Sequence, residues 1–438
     1  MENNGNRLLN KKKKKIKLFL VLFLVLILGV TVGFIFDKSS ILEKNEALEF
    51  ENNTLNEIRE SEKKNTLNEN NIVDIQNIEN NTTEDEVSKD ENNLNQNKEL
   101  FEDYYDKSEK ILEKMTLEEK VGQMFYARYP KSGADKEIIR DNPGGYILFA
   151  DDFKNQTKSS ILKKIEQHQE NSKIKMFMGV DEEGGTVVRV SNFTAFRSSK
   201  FKSPQQLWNE GKLQRIIEDS TEKSKLLKSI GLNTNFAPVV DVPTKKTSFI
   251  YKRSYGRGAD NTAIYAKRII ENMNNDNMIS VMKHFPGYGD NVDTHTGIAI
   301  DDRYYQNFED SDFKPFIAGI NAKGPMILVS HNIVKCMDEK LPASLSKDVH
   351  DILRNELNFS GLIITDDLAM DAVKGYVENG KAATMAVIAG NDLIISSDFI
   401  NQKKEIVDAV ENNEIPMEYI DNAVRRILSC KYAYGIIN

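Results

Sequence analysis

The chain has 438 residues, a formal net charge of -8 and two cysteines, Cys336 and Cys430, which excludes a disulfide scaffold and any cysteine-built zinc module. The charge is unevenly spread: residues 1–36 carry seven basic side chains against Glu2, residues 37–104 carry seven against nineteen acidic ones, and the remainder sums to -2. A nucleic-acid binder needs a basic folded part to offset phosphate charge, so the near-neutral remainder argues against that class and no nucleic-acid partner is expected.

In chain order, the first element is the run Leu18–Phe36, nineteen residues without a charge directly after Lys11–Lys15 and Lys17. At about 1.5 Å per residue such a helix reaches roughly 28 Å, close to the hydrocarbon thickness of a bilayer, which predicts a transmembrane helix. A cleaved signal peptide shares the charged start and apolar middle, but Phe34-Ile35-Phe36-Asp37 offers no small-residue cleavage pattern. The lysines of the basic segment 1–17 hold that end in the cytoplasm, so the expectation is a single-pass anchor in the cell membrane with everything after Phe36 extracytoplasmic. Residues 37–104 hold no Gly, Pro, Cys or Trp and are dominated by Asn and Glu. They cannot bury enough apolar surface to offset the entropy of ordering, which predicts a disordered linker, with at most a transient helix around Ile41–Arg59.

All ten prolines and 21 of the 24 glycines fall in residues 105–438, where turns must be specified. The first helix there carries a capping box at Thr116–Glu119. Eight short apolar runs follow: Gln123–Arg128, Gly145–Ala150, Met176–Asp181, Thr234–Val242, Ile279–Phe285, Met326–His331, Leu362–Asp367 and Asp392–Ser397. Continuous rather than alternating runs describe parallel strands covered on both faces. Helical stretches lie between most of them, among them Leu213–Ile230, Asn261–Met273, Ser346–Leu357 and Met370–Ala389. This alternation predicts an α/β fold, a (β/α)8 TIM-type barrel rather than an open doubly wound sheet. Cys336 and Cys430 read as buried thiols within it.

In such a barrel the active site lies at the C-terminal ends of the strands, and the polar residues collect there. Asp181 ends the third run, Asn235 and Asp241 flank the fourth, Lys283 and His284 end the fifth, His331 ends the sixth, and Asp366 and Asp367 end the seventh. His168 and His350 lie in helical stretches and read as surface or packing residues. The segment KHFPGYGDNVDTH, Lys283 to His295, closes with Asp293 and His295 two residues apart. A carboxylate so close can hold an imidazole by one nitrogen and leave the other to exchange a proton near neutral pH, a candidate acid/base dyad. The same residues also read as a plain loop turn or, with His284 and Asp290, as metal ligands. In GLIITDDLAM, Asp366 at the strand end is the candidate nucleophile, and Asp367 caps the next helix or braces the turn.

These segments carry a resemblance. MTLEEKVGQMF (Met115–Phe125), GGYILF (Gly144–Phe149), VDEEGGTVVR (Val180–Arg189), NTNFAPVVDV (Asn233–Val242), KRSYG (Lys252–Gly256), KHFPGYGDNVDTH and ITDDLAM (Ile364–Met370) stand in the order of glycoside hydrolase family three. Within it, the chain resembles the single-domain bacterial β-N-acetylglucosaminidases (β-N-acetylhexosaminidases) of wall recycling. The resemblance implies a TIM barrel with neither cofactor nor metal, with Asp366 forming a glycosyl-enzyme. It implies that His295 protonates the leaving oxygen and then activates water while Asp293 orients it, and that Asp181, Arg253, Lys283 and His284 bind the hydroxyls of the terminal sugar. Retaining glycosidases ordinarily divide this work between two carboxylates; here histidine replaces the second. The chain departs from the family at Tyr288, usually His, in a loop one residue shorter, and at Glu182 and Thr186, usually Gln and Arg. The expected function is an anchored, retaining exo-β-N-acetylglucosaminidase acting on an aminosugar glycan or muropeptide in peptidoglycan turnover. The alternatives are a metal-dependent barrel hydrolase and a catalytically weakened wall-glycan-binding protein.

Overall fold

The computed structural model describes residues 98–293, 299–370, 373, 376–377 and 381–438. The chain divides into two units, residues 1–85 and 86–438, and every described residue belongs to the second. The expected transmembrane helix at 18–36 and the linker up to residue 97 lie outside the described residues; the end of the expected disordered linker, residues 98–104, is corrected, since Phe101 is buried and Glu102–Tyr104 form a 3-10 helix. Among the described residues no helix is long and apolar enough to cross a membrane.

Eight parallel strands make one sheet: β1 Phe125–Arg128, β2 Gly145–Leu148, β3 Phe177–Val180, β4 Thr234–Asn235, β5 Ile279–Phe285, β6 Met326–Val329, β7 Leu362–Thr365 and β8 Ile394–Ser396. From β1 to β7 each strand pairs with the next in chain order, and β8 pairs with β1 from Phe125–Ile394 to Ala127–Ser396. The ring closes through a single bridge between Ile364 and Leu393, which makes it a TIM-type barrel. All eight apolar runs are strands, and every strand residue except Arg128 and the residues beyond each run's ladder is buried, as cover on both faces requires. β4 pairs regularly for only two residues, although its run extends to Val242. Pro238 has no N–H to donate to a ladder, and the chain continues beside β5 through single bonds, Val281 N to Ala237 O at 3.0 Å and Val240 N to Lys283 O at 2.9 Å.

The helices are α1 Tyr105–Leu112, α2 Leu117–Gln123, α3 Ala134–Asp141, α4 Lys158–Asn171, α5 Pro204–Lys228, α6 Ala259–Asn275, α7 Phe313–Asn321, α8 Lys347–Asp351, α9 Ala382–Ala389, α10 Phe399–Glu411 and α11 Met417–Ala433. The capping box of α2 is formed: Glu119 N donates to Thr116 Oγ1 at 3.3 Å and Thr116 N to Glu119 Oε2 at 3.2 Å. Of the helix expected at Met370–Ala389, Val373 and α9 Ala382–Ala389 are helical, Asp367–Met370 ahead of it is a turn, and part of the stretch between lies outside the described residues. The Asp367 carboxylate holds this turn: it accepts Ala369 N at 2.9 Å and Ser397 N at 3.2 Å, which ties the turn to the end of β8.

Inside the barrel Tyr126 and Phe236 meet edge to face at 5.1 Å. A Cβ on residue 179 would stand 2.3 Å from the Tyr126 hydroxyl, so β3 needs glycine there. Outside it, Phe285 of β5 packs against Phe313 and Phe316 of α7, with Phe308 beside them; burying each such ring stabilises the fold by about 1.5–3 kcal/mol. The chain joins the barrel at the end opposite the mouth, where Leu100 N donates to Ser360 Oγ at 2.9 Å ahead of β7 and Phe101 is buried. Both cysteines are free thiols; Cys430 is buried, but Cys336 is exposed, in the turn following the short Ile333–Val334 strand.

Candidate active site

The strand ends β3, β5 and β7 deliver charged side chains to one cavity of about 560 Å³, lined among others by Asp181, Arg253, Lys283, His284, Asp293 and Asp366. Lys283 lies at its centre. Its Nζ reaches Asp181 Oδ1 and Glu183 Oε1, each at 2.7 Å. Arg253 meets the other side of Glu183 with its fork, Nε to Oε2 at 3.0 Å and a terminal nitrogen to Oε1 at 2.8 Å. The same terminal nitrogen stands 3.2 Å from His284 Nε2, while His284 Nδ1 donates to Asp241 Oδ2 at 2.7 Å. The chain is continuous: Asp181, Lys283, Glu183, Arg253, His284, Asp241. An Arg–carboxylate fork is geometrically specific as well as strong, so the cluster is held in one arrangement.

Burial works on these groups in one direction and their partners in the other. Burial would raise the Glu183 carboxyl, but Arg253 and Lys283 hold it well below the usual carboxylate range. Burial would lower the Lys283 and Arg253 cations, but Asp181 and Glu183 hold Lys283 above its ordinary value, and Glu183 does the same for Arg253. Glu183, Lys283 and Arg253 therefore hold one another in their charged forms, offering fixed donors and acceptors to a polyhydroxylated ligand. Two adjacent residues of β5 reach the cavity because the ladder to β6 slips between Lys283 and Phe285, and such irregularities re-aim side chains.

Asp366 follows β7, half-buried at the cavity wall. Its backbone N–H donates to Val329 O at 3.2 Å, and its Oδ1 accepts Asp367 N at 2.9 Å. Asp367, of the two readings made for it, braces. His331 does not face the cavity as its strand-end position suggested. It is fully buried, its Nε2 donates to the Asp367 carbonyl at 3.1 Å and its Nδ1 meets Ser344 Oγ at 2.7 Å, so it supports the turn after Asp366 from behind. Asn235 is likewise structural, bonded to the backbone of Glu182 at 3.0 and 3.2 Å. His168 and His350 are both buried and pack.

Asp293 lines the cavity, whereas His295 lies outside the described residues. Asp290, a member of the metal reading, spends its carboxylate on Thr244 N at 3.1 Å, Lys245 N at 2.9 Å and the hydroxyls of Thr244 and Ser248. Among the described residues no three His, Cys, Asp or Glu are grouped to hold a metal ion.

The chain as a whole has relatives among known proteins. The model of the glycosyl hydrolase family 3 N terminal domain matches residues 116–430. The chain belongs to glycosyl hydrolase family 3. It is a glycoside hydrolase similar to the β-hexosaminidases: 31% identical to the beta-hexosaminidase of Nitrosomonas eutropha over 61% of this chain and 77% of that one. It is also 28% identical to beta-hexosaminidase A of Pseudoalteromonas piscicida, over 67% of this chain but only 54% of the relative. Among solved structures, the family 3 beta-N-acetylglucosaminidase from Paenibacillus sp. str. FPU-7 superposes with a TM-score of 0.68 at 27% identity, covering 74% of this chain and 63% of that one. The beta-N-acetylhexosaminidase from Beutenbergia cavernae, 24% identical with a TM-score of 0.65 over 73% and 99% of the two chains, shares the fold.

Of the residues expected from the sequence, Asp181, Arg253, Lys283, His284, Asp293 and Asp366 line this one cavity, whereas Glu183, which lies between Lys283 and Arg253, was not among them. Three acidic residues stand in a row, and only the turn settles their directions. Gly184 and Gly185 take φ of 103° and 65°, swinging Glu183 toward Lys283. Glu182 instead turns inward to accept Arg189 N at 2.8 Å, Val190 N at 2.7 Å and the Ser191 hydroxyl. The Gly-Gly pair was the available signal, since it marks a tight turn directly after a strand-end carboxylate.

Proposed function

We propose that this family 3 hydrolase is a membrane-anchored, retaining exo-β-N-acetylglucosaminidase acting on terminal β-linked N-acetylglucosamine of peptidoglycan fragments or related glycans. The observation that carries the reading is one cavity that joins a rigid array of hydroxyl-binding charges, Asp181, Lys283, Arg253 and His284, to the strand-end carboxylate of Asp366. The names of the similar proteins support the N-acetylated sugar, and the apolar run Leu18–Phe36 after its lysines supports the anchor.

In this mechanism an Asp366 oxygen attacks the anomeric carbon as the glycosidic C–O bond breaks, and His295 gives its proton to the departing oxygen. The sugar is then esterified to Asp366. His295, now neutral, takes a proton from water, whose oxygen attacks the same carbon and releases the carboxylate. Two inversions restore the starting configuration. Asp293 holds the imidazole and stabilises its charged form.

The test uses the full chain and a panel of aryl β-glycosides: N-acetylglucosaminide, glucoside and xyloside. The N-acetylglucosaminide is expected to be cleaved with retention. Asp366→Ala should lose roughly 10⁴-fold or more of the rate, as removal of a nucleophile does, and His295→Ala about 10²–10⁴-fold. Turnover surviving in Asp366→Ala, or an inverted product, would overturn the mechanism.

A further inference from the structure

The loop that leaves β5 toward Asp293 is gripped at successive residues. Tyr288 N donates to Asp241 Oδ1 at 2.7 Å, and its ring is buried against Val239 and Ile250. Asp290 is tied to residues 244–248, and Asn291 Nδ2 donates to Asp301 Oδ2 at 2.7 Å.

One side chain links these grips to the barrel wall. Arg303 donates to the Gly287 carbonyl at 3.2 Å, to Asp301 Oδ2 at 2.7 Å and to Asp312 Oδ2 at 2.8 Å. Its guanidinium lies 4.3 Å over the Phe308 ring. The two carboxylates are 2% and 1% exposed, so they have no solvent to exchange for the arginine. The loop is shaped around the cluster: a Cβ on residue 289 would come within 2.7 Å of the guanidinium, and one on residue 287 within 2.2 Å of Asp312 Oδ1, at φ of +53° and +127°. Five N–H donors in a planar fork suit such a junction, and a lysine ammonium cannot reproduce them.

We infer that Arg303 is a positioning residue of the acid/base step: clamped between Asp301 and Asp312, it fixes Gly287–Asn291 and thereby the place of Asp293 at the cavity. The inference rests on the reading of Asp293 and its neighbouring histidine as the acid/base pair. A misplacement of about 1 Å in such a group costs on the order of a hundredfold in rate, and the loss falls where proton donation matters most.

The experiment measures kcat/KM for aryl β-N-acetylglucosaminides whose leaving-group acidity spans several pKa units, in wild type, Arg303→Ala, Arg303→Lys, Asn291→Ala and, as reference, His295→Ala. Arg303→Ala is expected to lose about ten- to a hundredfold on the poorest leaving group and less than about threefold on the best. Arg303→Lys should fall between, and Asn291→Ala should show the same tilt more weakly, which keeps the test valid if Arg303→Ala fails to fold. A merely structural role lowers all substrates alike. A tilt in His295→Ala with none in the Arg303 and Asn291 variants overturns the positioning role, whereas no tilt in His295→Ala overturns the acid/base reading beneath it.

Discussion

Two lysines at opposite ends of the same barrel meet burial in opposite ways. Lys283 at the mouth and Lys431 at the floor are 2% and 0% exposed, so depth does not separate them. Lys283 lies between two carboxylates and is held above its ordinary value. Lys431 of α11 donates to the neutral Gln123 Oε1 at 2.7 Å and lies 5.0 Å over Phe177, and burial pushes its amine down to about 7. A buried charge survives where it has a charged partner and is shed where it has only dipoles. At the mouth the partners hold the Lys283 charge in place; at the floor Lys431 keeps its charge only in part near neutral pH.

The contrast can be broken most severely at Glu183. Replacing it by alanine strands Arg253 and half of the Lys283 coordination, and removing one member of a buried ionic cluster costs roughly 3–5 kcal/mol. A urea titration of Glu183→Ala should show a loss of that order, together with a loss of glycosidase activity; an unchanged midpoint would mean that the cluster does not depend on this carboxylate. Lys431→Met should go the other way, gaining roughly 1–4 kcal/mol near neutral pH because no charge is left to bury.

The sign follows from linkage. The folded amine near 7 lies below the ordinary 10.5, so between those values the unfolded chain binds more protons and stability rises with pH, by at most about 1.4 kcal/mol per unit. Urea midpoints between pH 7 and 9 should climb in wild type and less so in Lys431→Met; parallel curves would assign the slope elsewhere.

The smallest effect is expected at Asp290. Burial opposes its charge, but hydrogen bonds from Ser248, Thr244 and Lys245 keep its carboxyl below the usual range. A lowered carboxyl stabilises above its unfolded value and loses that contribution as pH falls through the folded one. Asp290→Ala should cost only about 0.5–1 kcal/mol at pH 7, discounted because the group is only half-buried and solvent screens it, and the difference from wild type should shrink on acidification. Thermal melts at pH 7 and pH 3 check this.

The architecture was legible because strands covered on both faces carry their own signal: all eight runs proved to be strands. Asp181, Lys283, His284 and Asp366 were legible together because barrel topology sends strand ends to one mouth, whereas Asp293 was read from a loop motif and Arg253 only from the family resemblance. Side-chain direction was not. His331 ends a strand like His284, yet it turns into the protein to hold the Asp367 carbonyl, and nothing in a linear pattern distinguishes the two. Arg303 lies well beyond the loop it holds, so only folding shows that its fork meets Gly287. The turn at Asp367 was not legible either, because its carboxylate bonds Ser397, thirty residues away, as well as its neighbour Ala369.

The bond from Leu100 to Ser360 has a practical reach. It brings the chain onto the floor, at the starting end of β7, while Asp366 stands at the finishing end of the same strand. A short chemical link made at residue 98 to a bead or a sensor chip would therefore present the open end of the barrel to solution, leaving glycan access and surface attachment sterically independent.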